Sequence, residues 1–261
     1  RHYGEAVAAV AADTLEIAKK AVDLIDVEYE VLEPILNHMD AIKEGAPLIH
    51  PDLGKYDYFK PAFSPQPGTN IATWNKMRKG DVEKGFEESE WIIEREYTNP
   101  SVQHVPMETH VAIVQWGKDD NITIWSSAQS PFTVRNLFCY AFKLPLNKVR
   151  VLVPHVGGGF GGKQEVLLED LCGHLTIATG KPVRMEYTRS QEFTSGRSRH
   201  RQIIRYKLGL KDKTVVAAEL RLIGDTGAYG THGLTVNMVG GFKGLTLYNA
   251  PNSRFICDVV Y

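Results

Sequence analysis

The sequence predicts an α+β fold, with mixed or antiparallel sheets and packed helices. Three observations carry this. Strand-like segments follow one another without an intervening helix over residues 91 to 126, and again over 202 to 223. Parallel neighbours would need a helical crossover between each pair, so such runs argue against a doubly wound sheet. Between the two runs lie the helical signals that open at Ser130-Pro131 and close at Gly180.

Residues 5 to 12 (EAVAAVAA) are apolar, and Asp13-Thr14-Leu15-Glu16 has the form of a capping box. Asp13 can accept a free N–H there and Glu16 can reach back. A helix is expected to about residue 24, with Leu15, Ala18, Val22 and Ile25 at helical spacing. Residues 26 to 31 (DVEYEV) alternate as a strand does. Together these read as the C-terminal part of a small α/β domain, residues 1–44.

Gly45, Pro47, Pro51, Gly54, Pro61, Pro65, Pro67 and Gly68 then mark an extended linker, residues 45–75. The remaining residues, 76–261, read as a second domain, incomplete at its C-terminus. Gly80 to Phe86 is a short turn or helix. Strands fit residues 91–98, 110–116 and 122–126, the last two joined through Gly117-Lys118-Asp119-Asp120. Ser130 caps the next helix, with Pro131 at its first position and Val134, Leu137, Phe138 and Ala141 on its apolar face. Asn147 leads into the strand 149–153 (VRVLV). A helix from about Gln164 to Thr179 ends on Gly180, suited to the left-handed position past a helix end. Strands fit residues 182–188, 202–210 and 214–223, and Asp258 to Tyr261 reads as part of another.

Thirty Lys and Arg stand against 31 Asp and Glu, a net charge of −1. That balance gives no reason to expect nucleic acid or an anionic membrane as partner. No apolar run reaches the roughly 18 to 20 residues of a membrane span. Cys139, Cys172 and Cys257 are odd in number and far apart, which suggests neither a disulfide framework nor a zinc site. A cytoplasmic location is the default expectation. The sequence begins with Arg1 and ends inside a strand-like segment, so it reads as a fragment or a split subunit.

The densest signal is Gly157-Gly158-Gly159-Phe160-Gly161-Gly162-Lys163, between a strand and a helix. Glycines there admit positive φ and close approach of a ligand, and free N–H groups at such a loop suit acceptor oxygens. A tight packing turn is the plain alternative. Gly157-x-Gly159-x-x-Gly162 also matches a dinucleotide fingerprint, with Glu186 roughly where a ribose-binding acid belongs but in mid-strand. Gly157-x-x-x-x-Gly162-Lys163 nearly matches a phosphate-binding P-loop, but Gln164 replaces the hydroxyl that would ligate magnesium.

The loop has company. Gln103 to His110 (QHVPMETH), Ser127 to Pro131 (SAQSP), Thr179 to Arg189 (TGKPVRMEYTR) and Gly227-Ala228-Tyr229 stand in an order and spacing that resemble the molybdenum hydroxylases, the xanthine dehydrogenase and aldehyde oxidase family. The resemblance covers nearly the whole chain. It implies the end of the hammerhead-shaped domain followed by the first molybdopterin-binding domain. It also implies a molybdenum–molybdopterin cofactor, or its cytosine dinucleotide, held through the pterin dithiolene and not by a protein ligand.

By the same resemblance Gln129 would hydrogen-bond an oxygen ligand of the metal through its side-chain amide. Phe160 and Gly161, with Gly159 in the same loop, would present backbone N–H groups, and Lys163 would pack or pair structurally. Gln164 stands where purine-oxidising members carry Glu, so it is the substrate-pocket candidate. Those members also place an Arg upstream of a Tyr-x-x-Pro-Asn segment, here Tyr248 to Asn252, and the corresponding place falls near Met238-Val239-Gly240. Both departures turn the expected substrate from xanthine towards an aldehyde, another N-heterocycle or an aromatic compound.

The family reaction takes oxygen from water. A glutamate base serves it, and electrons leave through iron–sulfur clusters to FAD on partner domains or subunits. No catalytic residue of that kind is found in this sequence. The chain is therefore expected to need the rest of the molybdenum subunit, and alone to hold neither cofactor nor activity. A non-catalytic homologue or interaction subunit, and a dinucleotide-binding oxidoreductase domain, are the alternatives.

Overall fold

The computed structural model describes residues 1–58, 63–118 and 121–261. Pro61 of the linker, and Asp119 and Asp120 of the expected turn, lie outside the described residues. Helices α1 (Leu15–Val22) and α2 (His38–Ala41) precede strand β1 (Ile71–Lys79), helix α3 (Val82–Glu87) and strands β2 (Trp91–Asn99) and β3 (Val102–Gln103). Next come β4 (Val111–Trp116), β5 (Ile122–Ser126), α4 (Pro131–Phe142), β6 (Val149–Leu152), α5 (Glu169–Thr179), β7 (Val183–Glu186) and α6 (Arg189–Thr194). The chain continues through β8 (Ser198–Arg199), β9 (Gln202–Lys211), β10 (Thr214–Asp225), α7 (Gly233–Thr246) and β11 (Asn252–Val260). It divides into two compact units: Arg1 with 32–102 and 200–261, and 2–31 with 103–199.

The first unit holds a five-stranded sheet in the order β1-β11-β10-β9-β2. In it β10 and β11 pair in parallel, whereas β1 with β11, β9 with β10 and β2 with β9 are antiparallel. The parallel pair needs a crossover, and α7 provides it. Leu220, Leu222, Phe255, Cys257 and Val259 form the core of this unit with Ala72. Helix α7 was not legible because Gly233, Gly240, Gly241 and Gly244 lower its helical propensity. They serve close packing: a Cβ on Gly241 would lie 2.1 Å from the Phe255 ring. Strand β1 starts at Ile71, inside the segment read as linker.

The second unit, which carries the glycine loop, has a four-stranded sheet in the order β6-β5-β4-β7. Strand β5 pairs antiparallel with β4 and in parallel with β6, across the helical crossover α4. Ala112 and Val114 of β4 and Ile122 and Ile124 of β5 pack on Phe138, Cys139 and Cys172 of the helices. Gly173 lets α5 approach α4, since a Cβ there would sit 2.7 Å from Phe142 and 2.8 Å from Phe138. The alternate residues Val111, Ile113 and Gln115 face the other side of the sheet, as a period of two requires.

The fold is α+β, as the strand runs predicted. Three local expectations are corrected. Residues 26–31 form no strand, and Val31 is 89% exposed; an alternating pattern needs a sheet edge to complete its backbone bonds. Thr14, not Asp13, caps α1, accepting from the Ile17 N–H at 3.3 Å. Helix α5 starts at Glu169, not Gln164, because the Glu169 carboxylate accepts the N–H groups of Leu167 and Leu168 and holds that stretch as loop. Gly180 closes α5 in the left-handed conformation, as expected. Among the described residues no helix is long and apolar enough to cross a membrane.

Candidate functional site

Strand β6 ends at Leu152 and releases the chain into the glycine loop. The loop is closed on itself by Glu108. Its Oε2 accepts the Gly157 N–H at 2.9 Å and the Lys163 ammonium at 2.6 Å, and its own N–H donates to the Gly157 carbonyl at 3.1 Å. The first and last residues of the loop are thus tied to one carboxylate. A Cβ on Gly157 would lie 2.6 Å from the Glu108 Cβ, so a side chain there would push the clasp apart. Lys163 is fully buried, and a buried ammonium is stable only with such a partner.

Gln129, just before α4, meets the loop at three points. Its N–H donates to the Lys163 carbonyl at 2.7 Å. Its side-chain oxygen accepts from Gly161 at 2.9 Å and from Lys163 at 3.2 Å. Both neighbours are backbone donors, which fixes the amide orientation: the oxygen faces the loop and Nε2 is left as donor. Among the described residues Nε2 has no partner, and neither has the Phe160 N–H. Phe160 is 71% exposed and sits at φ +52°, a strained position for an aromatic residue. Gly159 cannot carry a side chain without displacing Gln129, because its Cβ would lie 2.5 Å from that side-chain oxygen.

Beneath the loop lies a buried polar layer. Both oxygens of Glu192 lie 2.9 Å from His110 Nδ1, and Oε2 accepts the His110 N–H at 3.0 Å. His110 Nε2 is 3.2 Å from the Gly162 carbonyl. Both ring nitrogens therefore face acceptors, and a neutral ring can donate to only one. His104 packs under Gly162 and bonds the Arg197 carbonyl, while the Arg197 guanidinium pairs with Glu165 at 2.7 Å. Burial pushes the neighbouring Tyr187 phenol up to about 12, so it stays protonated. Ser126, at the end of β5, donates to Glu169 and accepts the Ala128 N–H at 3.0 Å, fixing the approach to Gln129.

On the other face of the sheet from α4 and α5 is a cleft of about 440 Å³, lined by Val111, Ile113, Gln115, Trp125, Pro154 and His155 among others, with Glu108 at its edge. Among the described residues, no group of three or more His, Cys, Asp or Glu could hold a metal ion. The site offers neutral N–H donors around a glycine cradle, which suits a group rich in acceptor oxygens.

The structure brings Gln129, Gly159, Phe160 and Gly161 together. One detail differs from the expectation: the Gly161 N–H is donated to Gln129, so Gly161 acts by orienting that amide. Gln164 is half-buried and makes no hydrogen bond among the described residues. Lys163 pairs structurally, as expected. Glu108, His110, Glu192 and Glu169 were not foreseen. Glu108 and His110 lie in the segment Gln103 to His110, but only folding brings Glu108 to Gly157, 49 positions away. The mixed sheet around the loop removes the dinucleotide-binding alternative, which needs a parallel sheet with the loop at its switch point.

The sequence matches the molybdopterin cofactor-binding domain family over residues 63–261. It is 37% identical, over the whole of this chain and 30% of the relative, to "Probable hypoxanthine oxidase XdhD" of Escherichia coli (strain K12). It is 32% identical, over the whole of this chain and 58% of the relative, to the "Nicotinate dehydrogenase large molybdopterin subunit" of Eubacterium barkeri. The fold is similar to that of the aldehyde oxidoreductase of Desulfovibrio gigas, with a TM-score of 0.82 and 24% identity, covering 95% of this chain and 26% of that one. The chain thus spans less than two thirds of the length of these relatives.

Proposed function

The chain belongs to the molybdopterin cofactor-binding domain family, and from that premise we propose that it forms one wall of the cofactor site of a molybdenum hydroxylase acting on an N-heterocycle. The observation that carries the reading is the Gln129 amide. Two loop N–H groups hold its oxygen, so its NH2 is the donor available to an acceptor oxygen of the cofactor. The Phe160 N–H is the second donor, and Gly159 keeps the space that Gln129 needs. The residues present fit such a group: the Gln129 NH2 and the Phe160 N–H are neutral donors on a loop made mostly of glycine.

When bound, the molybdenum–pterin group supplies the two-electron oxidation that places a water-derived oxygen on an electron-poor carbon. The role of this chain is to bind and orient. Gln129 and Phe160 fix the cofactor by hydrogen bonds, and the buried pair His110 and Glu192, with half-buried His104, keeps the loop rigid beneath it. The rest of the molybdenum subunit, with iron–sulfur and flavin partners, completes the enzyme in the cytoplasm. The pterin is carried as molybdopterin or as its cytosine dinucleotide.

Gln164 bears on substrate choice. It is a neutral amide that can both donate and accept, and it cannot carry charge. It suits a neutral ring nitrogen. The names of two relatives, a hypoxanthine oxidase and a nicotinate dehydrogenase, point to the same class of compound. The test uses the intact enzyme that contains this chain. Gln129→Ala should lower molybdenum per protomer about 10-fold or more, the loss of a hydrogen bond worth about 1.5 to 3 kcal/mol. Wild-type molybdenum content would sink the assignment.

A further inference from the structure

We infer that Glu108 and Lys163 are positioning residues for the cofactor, acting through Gln129. This rests on the reading of Gln129 as a cofactor donor. The two residues form a relay of hydrogen bonds. Glu108 binds Gly157 and the Lys163 ammonium with one oxygen, at 2.9 and 2.6 Å. The Lys163 backbone then grips Gln129 from both sides: its carbonyl takes the Gln129 N–H at 2.7 Å, and its N–H donates to the Gln129 side-chain oxygen at 3.2 Å. A shift of Lys163 therefore moves the amide that faces the cofactor. Lys163 is free neither to rotate nor to leave, because its side chain is fully buried and its ammonium is bound by the carboxylate.

Glu108 is itself anchored. The Arg189 guanidinium donates to the carbonyls of Pro106 and Met107 at 2.7 and 2.9 Å, immediately before Glu108. Val105, with φ +48°, bends the chain into that position. A β-branched residue at positive φ persists only where its surroundings hold it. The segment Val105 to Glu108 thus reads as a built support for the loop. Neither Glu108 nor Lys163 needs to touch the cofactor for this role.

The test is a mutant cycle in the intact enzyme, read as molybdenum and pterin retained per protomer after extended dialysis, with the thermal midpoint recorded beside it. Glu108→Gln alone strands a buried ammonium and can unfold the loop. The pair Glu108→Gln with Lys163→Met removes both charges together and keeps the fold. The pair should lower retention about 10-fold, comparable to Gln129→Ala. Adding the pair to Gln129→Ala should then lower retention no further, since coupled positions are non-additive.

Retention at the wild-type level in the pair would overturn the inference. So would a loss that multiplies with that of Gln129→Ala to about 100-fold, because the pair would then act independently of the amide. In either case a loss in Gln129→Ala alone leaves the cofactor reading standing. If Gln129→Ala alone retains the wild-type amount, the reading itself fails and the inference with it.

Discussion

Gln129 and Gly161 are joined by a hydrogen bond of 2.9 Å in which the backbone N–H donates and the side-chain oxygen accepts. The direction separates two jobs of one side chain. The oxygen closes the loop, while the NH2 is offered outward.

Gln129→Glu separates these jobs experimentally. A carboxylate can still accept from Gly161 and Lys163, so the loop should keep its shape and the thermal midpoint should stay within about 2 °C of wild type, as expected for less than about 0.5 kcal/mol. The donor is lost, however, and on the proposed reading an anion would face the acceptor oxygens of the cofactor. Molybdenum content of the intact enzyme should fall about 10-fold or more. A variant with full metal content would show that the oxygen alone matters.

Two glycines give a paired control. An added Cβ at Gly159 would lie 2.5 Å from the Gln129 side-chain oxygen, whereas at Gly180 it would meet nothing within 4 Å among the described residues. Gly180 does lie at φ +64°, so Gly180→Ala should cost about 1 kcal/mol in urea unfolding and leave the metal content unchanged. Gly159→Ala should cost about 1 to 3 kcal/mol by overpacking and lower the metal content together with stability. Equal metal content in the two variants would dissociate Gly159 from the site.

These residues also show what the sequence made legible. The density of glycine around Phe160 announced a cradle, because few other functions require so little side chain. Gln129 was legible only through its neighbours Ser127 to Pro131, taken in order with the loop. Glu108 was not, since an acid in a polar segment has many uses, and its partners are set by how β4, β5 and β6 stack. The α+β class followed from strand runs that no helix interrupts. Helix α7 escaped for the opposite reason: its glycines serve contact with Phe255 and Leu220, a tertiary demand that overrides local propensity. The start of α5 escaped because a single carboxylate, Glu169, captures two N–H groups ahead of it.

The pair of His110 and Glu192 should be the main stability element under the loop. Glu192 is 1% exposed and receives two donors from His110. Glu192→Ala leaves those donors buried without a partner, and about 3 to 5 kcal/mol of stability should be lost. Glu192→Gln keeps one acceptor oxygen and should lose less, about 1 to 3 kcal/mol. Urea unfolding of the two variants checks the order. A Glu192→Ala variant as stable as wild type would show that the layer merely fills space.

His38 should make the unit that contains it sensitive to acid. The ring is 4% exposed, and among the described residues neither nitrogen has a hydrogen-bond partner. Asp225 is 3.9 Å away, too far to serve as one. Burial lowers the pKa of the ring; Asp225 pulls it upward and Arg201 adds to the lowering. The folded protein therefore binds this proton less readily than the unfolded chain, whose imidazole titrates near 6.5. Above that pH the two states are alike and His38 contributes no pH dependence. As the pH falls through about 6.5 the unfolded chain takes up the proton first, and stability is lost progressively until the folded-state value is reached. His38→Phe removes the titrating group and keeps an aromatic ring, so its urea midpoint should gain on wild type as the pH is lowered from 7.5 to 5. Parallel pH profiles for the two proteins would show that the acid sensitivity arises elsewhere.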